Sequence, residues 1–280
     1  RLTVKKVGVS MMMLATFFWG YMGISSRYLN HISLRSVDIS FIRALSAAIM
    51  LTLYLFFKKR SAFRLPVKGL IFSCFYGIIC FAIGMSFYSL SVDNIPISVA
   101  TVLMFSNPIW ATLFGKIFFG DPISKKKLVI MILCLVGCMC IIDVFSARGA
   151  ELNMIGVLAG ILNGMTFSLQ IVLPRFVENK LSKDSLLLYG FWSATICLAF
   201  FVNIGDIASK VANSGRPGFY LAHLLAIGIL CTFVAITLYV KSTKYIGTSL
   251  PSMMSALEPV FASIIAYMVF SEVMKPIQVL

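Results

Sequence analysis

The sequence predicts an all-α, polytopic membrane protein built from two inverted repeats of five transmembrane helices. Of its 280 residues, 60% are hydrophobic and only 12% are charged, and the mean hydropathy is +0.96. A soluble domain of this size could not bury so much apolar surface. Apolar windows of about 20 residues recur, which is the length that crosses a bilayer core. The chain also repeats itself at an offset of about 151 residues, far longer than a solenoid period.

The apolar windows predict nine membrane spans, numbered here in chain order. Each should be a helix, because backbone groups in lipid must find hydrogen-bond partners within their own segment. The spans are expected near residues 7–29, 37–57, 68–90, 96–119, 128–145, 153–174, 184–204, 218–240 and 249–270.

The internal repeat is clearest between residues 70–125 and 221–276, which align without a gap. The matched pairs include Gly77 with Gly228, Cys80 with Cys231, Tyr88 with Tyr239, Pro108 with Pro259 and Asp121 with Glu272. A unit of five helices crosses the membrane an odd number of times, so the second copy must be inverted. Inverted repeats allow each half to adopt the conformation of the other.

Nine spans leave the second repeat one helix short. Lys127, just before span 5, aligns with Gln278, so a tenth helix is expected directly beyond Leu280. The predicted division is therefore a first repeat at 1–147 and a second at 148–280, truncated before its last helix.

The net charge of +14 is concentrated in alternate loops, such as 58–68, 125–127, 175–183 and 241–244. This asymmetry is expected when cationic loops stay in the cytoplasm. It predicts a multi-pass protein of the cell inner (plasma) membrane with both termini cytoplasmic. The partners expected from it are lipids and not nucleic acid.

Enzymatic chemistry is not expected. The two histidines, His31 and His223, fall near loops or span ends, and no catalytic constellation accompanies them. The seven cysteines lie in apolar spans without the ligands that would complete a metal shell. No cofactor and no metal are therefore predicted, and no phosphate-binding G-x-x-x-x-G-K-[ST] loop is present.

Several short motifs carry a family resemblance. They are Trp19-Gly20, Phe41-Ile42-Arg43-Ala44, Leu257-Glu258-Pro259-Val260, and the acids Asp121 and Glu272. Together they resemble the drug/metabolite transporter superfamily, and are closest to its ten-helix, EamA-like branch. The resemblance implies a secondary transporter. The branch that the chain resembles contains exporters of amino acids and other small metabolites, together with nucleotide-sugar and drug carriers.

We therefore predict a transporter that exports an amino acid or related compound by alternating access around a midplane cavity. The alternatives are a drug or nucleotide-derivative carrier of the same superfamily and, in a different class, a membrane channel. Protons are a candidate coupling ion. A monomer can suffice, because the duplication supplies both halves in one chain.

Depth in the membrane selects the candidate substrate-binding residues, since polar groups at mid-span are costly unless they face a partner or a wet cavity. The predicted set is Trp19, Tyr76, Asn107, Asn163, Thr166, Gln170 and Glu258. Asn163, Thr166 and Gln170 share one face of span 6 by their spacing. Tyr88 and Tyr239, near span ends, are expected instead in the interfacial belt.

Two charges and two prolines complete the candidate site. Glu258 is predicted to couple protons or bind an ammonium group; the alternatives are a pair with Arg43 or capping of carbonyls that Pro259 frees. Arg43 is expected to pair with an acid, a carbonyl or an anionic substrate group, or to snorkel to the interface. Pro108 and Pro259, at matched positions, predict helix kinks, either at a binding site or from packing alone.

Overall fold

The computed structural model describes residues 2–95, 97–125, 128–129, 131–133, 135–136 and 153–270. Within these residues, seven helices are long and apolar enough to cross a membrane, and an eighth is added if one bent pair counts as a span. The all-α, multi-pass architecture predicted from composition is therefore confirmed.

The helices correspond to predicted spans 1–4 and 6–9. Span 1 is Leu2–Asn30, and span 2 is Ser36–Lys58. Span 3 comprises Val67–Gly77, Ile78–Ile83 and Gly84–Asn94, and span 4 comprises Ile97–Met104 and Asn107–Phe119. Span 6 is Met154–Val172, and span 7 is Lys183–Ala199. Span 8 comprises Pro217–Gly228, Ile229–Val234 and Ala235–Ile246, and span 9 comprises Ser249–Met254, Ser255–Leu257 and Glu258–Phe270.

Some predictions lie outside the described residues. These are most of span 5, the repeat boundary at 147–148, Glu272 and the alignment of Gln278 with Lys127. The division into 1–147 and 148–280 and the expected tenth helix stay predictions.

Span 7 ends earlier than the predicted 184–204. Its helix stops at Ala199, and a short helix, Ile204–Ala212, leaves at 87°. The side-chain Oδ1 of Asn203 accepts a hydrogen bond from the Asp206 N–H and caps this new helix. The apolar run continues through Phe200 and Phe201, so hydropathy alone extended the span, whereas the capping residue marks the turn.

The repeat is visible in the irregularities of the helices. Spans 3 and 8 each contain one π-helical turn, Ile78–Ile83 and Ile229–Val234. Spans 4 and 9 each restart as a second half-helix, Asn107–Phe119 and Glu258–Phe270. Each pair is offset by the same 151 residues as the sequence repeat. The two units therefore share their backbone defects as well as their order of helices.

The contacts between spans also match between the two repeats. Span 3 packs against span 7, and its counterpart span 8 packs against span 2, the counterpart of span 7. Span 3 also packs against span 6, as span 8 packs against span 1. Each repeat thus contributes to both sides of a shared core, which fits the two-repeat fold.

Glycines allow these inter-repeat contacts to be close. A Cβ added at Gly77 would lie 2.0 Å from the Gly190 carbonyl oxygen and 2.3 Å from the Ser193 hydroxyl. At the matched position, a Cβ on Gly228 would lie 2.4 Å from the Ser46 side chain. The backbones of spans 3 and 7 can approach only because no side chain intervenes.

Gly77→Ala should destabilise the bundle, because the new methyl group meets the backbone of Gly190, which cannot move aside, as well as the Ser193 side chain. Overpacking of this kind costs about 1–3 kcal/mol, so we expect a lower midpoint of thermal unfolding in detergent. Gly23→Ala is the matched control, since a Cβ there meets nothing within 4 Å. Equal unfolding midpoints for the two variants would contradict the close packing of spans 3 and 7.

Candidate functional site

Spans 4 and 9 are interrupted directly before their matched prolines. Span 4 breaks at residues 105–106, and Pro108 is the second residue of the half-helix that follows. Span 9 passes through the 3₁₀ turn Ser255–Leu257, and Pro259 is again second in its half-helix. A proline in the first turn lacks an N–H that would have no intrahelical partner anyway. The prolines thus start second half-helices and do not bend a continuous one.

Asn107 joins the two broken helices. Its side chain has no exposed surface, and its Nδ2 donates to the Ser255 hydroxyl at 3.2 Å. Its Oδ1 accepts from the hydroxyl of Ser252, while the Ser255 hydroxyl donates its own proton to the Ser252 carbonyl at 2.6 Å. Asn107 belongs to the first repeat and both serines to the second, so this cluster ties the repeats together near their centre.

Glu258 occupies the position matched to Asn107 but has a different environment. It is half-buried and begins its half-helix, where the helix dipole favours a carboxylate. Among the described hydrogen bonds and ion pairs, none engages its oxygens. It nevertheless interacts electrostatically with Arg43. Glu258 is therefore neither capping carbonyls nor in direct ion-pair contact with Arg43 in this conformation.

Arg43 points into the bundle and does not snorkel. Its Nε donates to the Thr232 hydroxyl in span 8 at 2.9 Å. Within the described part of the chain, its two terminal amino groups have no protein partner. The residue is half-buried, so these groups border accessible space. A planar pair of free N–H donors matches the geometry of a carboxylate.

Tyr88 lies with these charges and not in the interfacial belt. It interacts electrostatically with Glu258 and Arg43, and its side chain hydrogen-bonds with Thr101. We call the half-buried set Arg43, Tyr88, Thr101 and Glu258 the charged cavity. Sequence reasoning found its two charges but missed Tyr88 and Thr101.

Three residues of the charged cavity are partly exposed, whereas the residues matched to them in the other repeat are fully buried. Tyr88, Thr101 and Glu258 retain accessible surface, whereas the matched Tyr239, Ser252 and Asn107 have none. Tyr88 and Thr101 lie toward the end of the bundle where spans 3 and 4 meet. Tyr239 and Ser252 lie toward the other end, which carries the basic loops. The residues near the basic end are thus fully buried, whereas those toward the other end keep part of their surface accessible.

Trp19 packs in the same buried region as Tyr239. It is 3% exposed, and its ring meets Phe167 at 5.5 Å and Tyr239 at 5.2 Å, edge to face. Phe167 and Tyr239 stack on each other at 5.6 Å. The predicted belt position of Tyr239 is therefore wrong, because its ring fills the interior between spans 1, 6 and 8.

The polar face of span 6 is buried against span 3. Asn163, Thr166 and Gln170 are each at least nine-tenths buried. The Thr166 hydroxyl donates to its own helix, at the Leu162 carbonyl. Asn163 Nδ2 and Gln170 Oε1 have no hydrogen-bond partner in the described structure. Such orphaned groups are costly unless water or a ligand reaches them, so these two remain candidates for substrate contact.

Tyr76 has no exposed surface in this conformation. Its hydroxyl donates to the backbone carbonyl of Gln170 at 2.9 Å, and its ring packs edge to face on Phe81 at 5.4 Å. Contact between Tyr76 and a substrate would require spans 3 and 6 to separate. Its inclusion in the substrate-binding set stays a prediction.

Ion pairs connect the repeats at the basic end. Arg175 binds Asp121 through two contacts of 2.6 and 3.0 Å. Asp184 lies 3.2 Å from Lys59 and 2.6 Å from Lys241. Because Asp121 and Lys59 lie in the first predicted repeat and their partners Arg175 and Asp184 in the second, these contacts hold the two halves together at the basic end.

The described residues contain no group of three or more His, Cys, Asp or Glu side chains that could hold a metal ion. Three of the seven cysteines, Cys134, Cys138 and Cys140, lie outside those residues.

Comparison with known proteins places the chain among transporters. The model of the EamA-like transporter family matches residues 6–143 and 154–280. An uncharacterized transporter of Archaeoglobus fulgidus is 22% identical over 195 residues, which is 69% of this chain and 66% of that protein. An S-adenosylmethionine uptake transporter of Rickettsia felis is 24% identical over 249 residues, or 89% of this chain and 79% of that protein.

A solved crystal structure has a similar fold. It superposes with a TM-score of 0.76 at 14% sequence identity, and the match covers 100% of this chain and 92% of the other. At this identity the likeness shows the fold alone.

Asn107→Ala should destabilise the protein, because it removes the acceptor of the buried Ser252 hydroxyl and the donor to the buried Ser255 hydroxyl. Each buried polar group left unsatisfied costs about 1–3 kcal/mol, so thermal unfolding in detergent should begin at a lower temperature. Asn213→Ala, in an exposed turn, should change the unfolding free energy by less than about 0.5 kcal/mol. An Asn107→Ala protein as stable as this control would show that the cluster does not hold spans 4 and 9 together.

Proposed function

Because the chain belongs to the EamA-like transporter family, we propose that this membrane transporter carries a small zwitterion, an amino acid or a related compound. The zwitterion occupies the charged cavity, with its carboxylate at Arg43 and its ammonium group at Glu258. Transport proceeds by alternating access, and the net direction is outward, as the resemblance to exporters implies.

The observation that carries this proposal is a pair of opposite charges that, among the described residues, make no ion pair with each other or with another side chain. Within the described part of the chain, the terminal amino groups of Arg43 and the carboxylate of Glu258 have no hydrogen-bond partner, yet each charge lies within the electrostatic range of the other. Separated charges inside a bilayer are unfavourable unless something compensates both. A molecule with one carboxylate and one ammonium group would compensate both at once and remain neutral overall.

The name of one relative supports the proposed substrate class in general terms. The Rickettsia felis relative is named for uptake of S-adenosylmethionine, a molecule that contains an amino-acid group. That group would satisfy the same two charges. Its name gives the inward direction, so transport in both directions should be measured.

Alternating access is supported by the repeat and by the one-sided opening. If each half can adopt the other's packing, the sealed set Tyr239, Ser252 and Asn107 would open as Tyr88, Thr101 and Glu258 close. We place the basic loops and both termini in the cytoplasm of the inner (plasma) membrane. In that orientation, the cavity faces outward in this structure.

Arg43→Gln should weaken substrate binding, since it removes the charged donors for the carboxylate. Losing hydrogen bonds to a charged group costs about 1.5–3 kcal/mol, which is roughly a 10- to 150-fold rise in the half-saturating concentration. The measurement is counterflow of labelled amino acids and S-adenosylmethionine in proteoliposomes. Arg64→Gln, in an exposed basic loop, is the matched control.

Three results would contradict the zwitterion proposal: full affinity in the Arg43→Gln protein, no saturable counterflow by any amino acid or S-adenosylmethionine, or a sustained ionic conductance, which would indicate a channel.

Glu258 is also proposed to exchange protons, so that a proton and the substrate ammonium group compete for one carboxylate. Glu258→Gln should then retain counterflow at saturating substrate, because exchange needs no net proton movement. It should lose accumulation driven by an imposed pH gradient. Glu178→Gln, at an exposed acid, should keep both activities. Full gradient-driven transport by the Glu258→Gln protein would rule out this coupling.

A further inference from the structure

The π-helical turn of span 8 contains Thr232, whose side chain contacts Arg43 of the charged cavity. Thr232 is fully buried, and its hydroxyl donates to the Ile227 carbonyl at 2.8 Å, five residues back. In the α-helical spans, buried threonines such as Thr195 donate to the carbonyl four residues back. The wider turn therefore changes where this hydroxyl is held. Such turns occur frequently at functional sites.

The hydrogen-bonding capacity of Thr232 then determines how it meets Arg43. A hydroxyl has one proton to donate, and that of Thr232 is committed to the Ile227 carbonyl. Toward span 2 it can only accept, and it accepts from Arg43 Nε at 2.9 Å. Since the guanidinium is planar, fixing Nε restricts the plane in which the two free terminal amino groups lie.

We infer that Thr232 is a positioning residue, which orients Arg43 for two-point binding of the substrate carboxylate. The inference rests on the proposed zwitterion site and adds to it the residue that sets the orientation and affinity of one end of the substrate. The π-helical turn is the structural reason that Thr232 can do so.

The positions matched to Thr232 and Arg43 carry no equivalent pair. Phe81 occupies the position matched to Thr232 and stacks on Phe191 at 4.6 Å. Gly190 is the loose counterpart of Arg43 in span 7. Of these two matched places, only the one with Arg43 and Thr232 can hold a carboxylate, so the substrate is held in one direction relative to the two halves.

The test measures binding of three related probes to the purified full chain in nanodiscs by calorimetry. The probes are methionine, 4-(methylthio)butanoate, which lacks the ammonium group, and 3-(methylthio)propylamine, which lacks the carboxylate. Thr232→Val removes the hydroxyl at nearly constant shape, and Thr232→Ser restores it. Thr195→Val removes a buried threonine hydroxyl from span 7 and is the control.

Thr232→Val should weaken binding of methionine and of the butanoate by about tenfold, with binding of the amine unchanged. Thr232→Ser should restore wild-type affinities, and Thr195→Val should leave all three unaltered. Because a general packing defect would weaken every probe, this selectivity for the carboxylate distinguishes positioning from stability.

The outcomes separate the two proposals. If Thr232→Val weakens all three probes equally, or none, while Arg43→Gln abolishes the preference for the carboxylate, the positioning role is overturned and the zwitterion site stands. If Arg43→Gln binds methionine as the wild type does, or the wild type binds none of the probes, the zwitterion site and the inference that rests on it both fail.

Discussion

Keeping opposite charges apart inside a membrane is the constraint that organises this molecule. A guanidinium and a carboxylate at this depth are stable only when each is paired, hydrogen-bonded or reached by water. Here Arg43 is anchored through one nitrogen and Glu258 lies at the start of a half-helix. Neither forms an ion pair with the other among the described contacts, and we propose that a ligand binds between them.

The fold supplies that space by using one backbone twice with different side chains. The same break in the helix carries Asn107 in one repeat and Glu258 in the other. The first makes a dry cluster with two serines, and the second borders the open cavity. The matched backbones are the basis of the proposal that the halves exchange conformations. The different side chains are the reason that the proposed recognition site lies on one side.

Much of the fold could be predicted because its signals are local. Apolar windows marked the spans, and prolines and glycines in register marked the repeat. The end of span 7 was missed, since Asn203 interrupts an apolar run that hydropathy counts as continuous. The capping residue was the available signal.

The direction in which each side chain points was harder to predict than the positions of the helices, for a physical reason. A π-helical turn inserts one residue, which rotates everything after it by about 100° relative to a regular α-helix. Tyr88 and Tyr239 both follow such a turn. Because both tyrosines lie near the ends of their spans, the sequence predicted that they belong to the interfacial belt. The π-helical turns and the packing of the spans instead direct them into the bundle. Thr232 carried no signal at all, because its role depends on the turn in which it lies.

The ion pairs of the basic end give the protein a sensitivity that its apolar core does not have. Arg175 and Asp121 are 25% and 29% exposed, so dissolved ions reach them, and the screening length at physiological ionic strength is only about 8 Å. Salt on that side weakens the attraction between the halves, whereas salt on the other side does not. In the proposed alternating-access cycle, the energy difference between the two conformations therefore depends on the electrolyte of one compartment, so the protein would respond unequally to the two solutions even before a substrate binds.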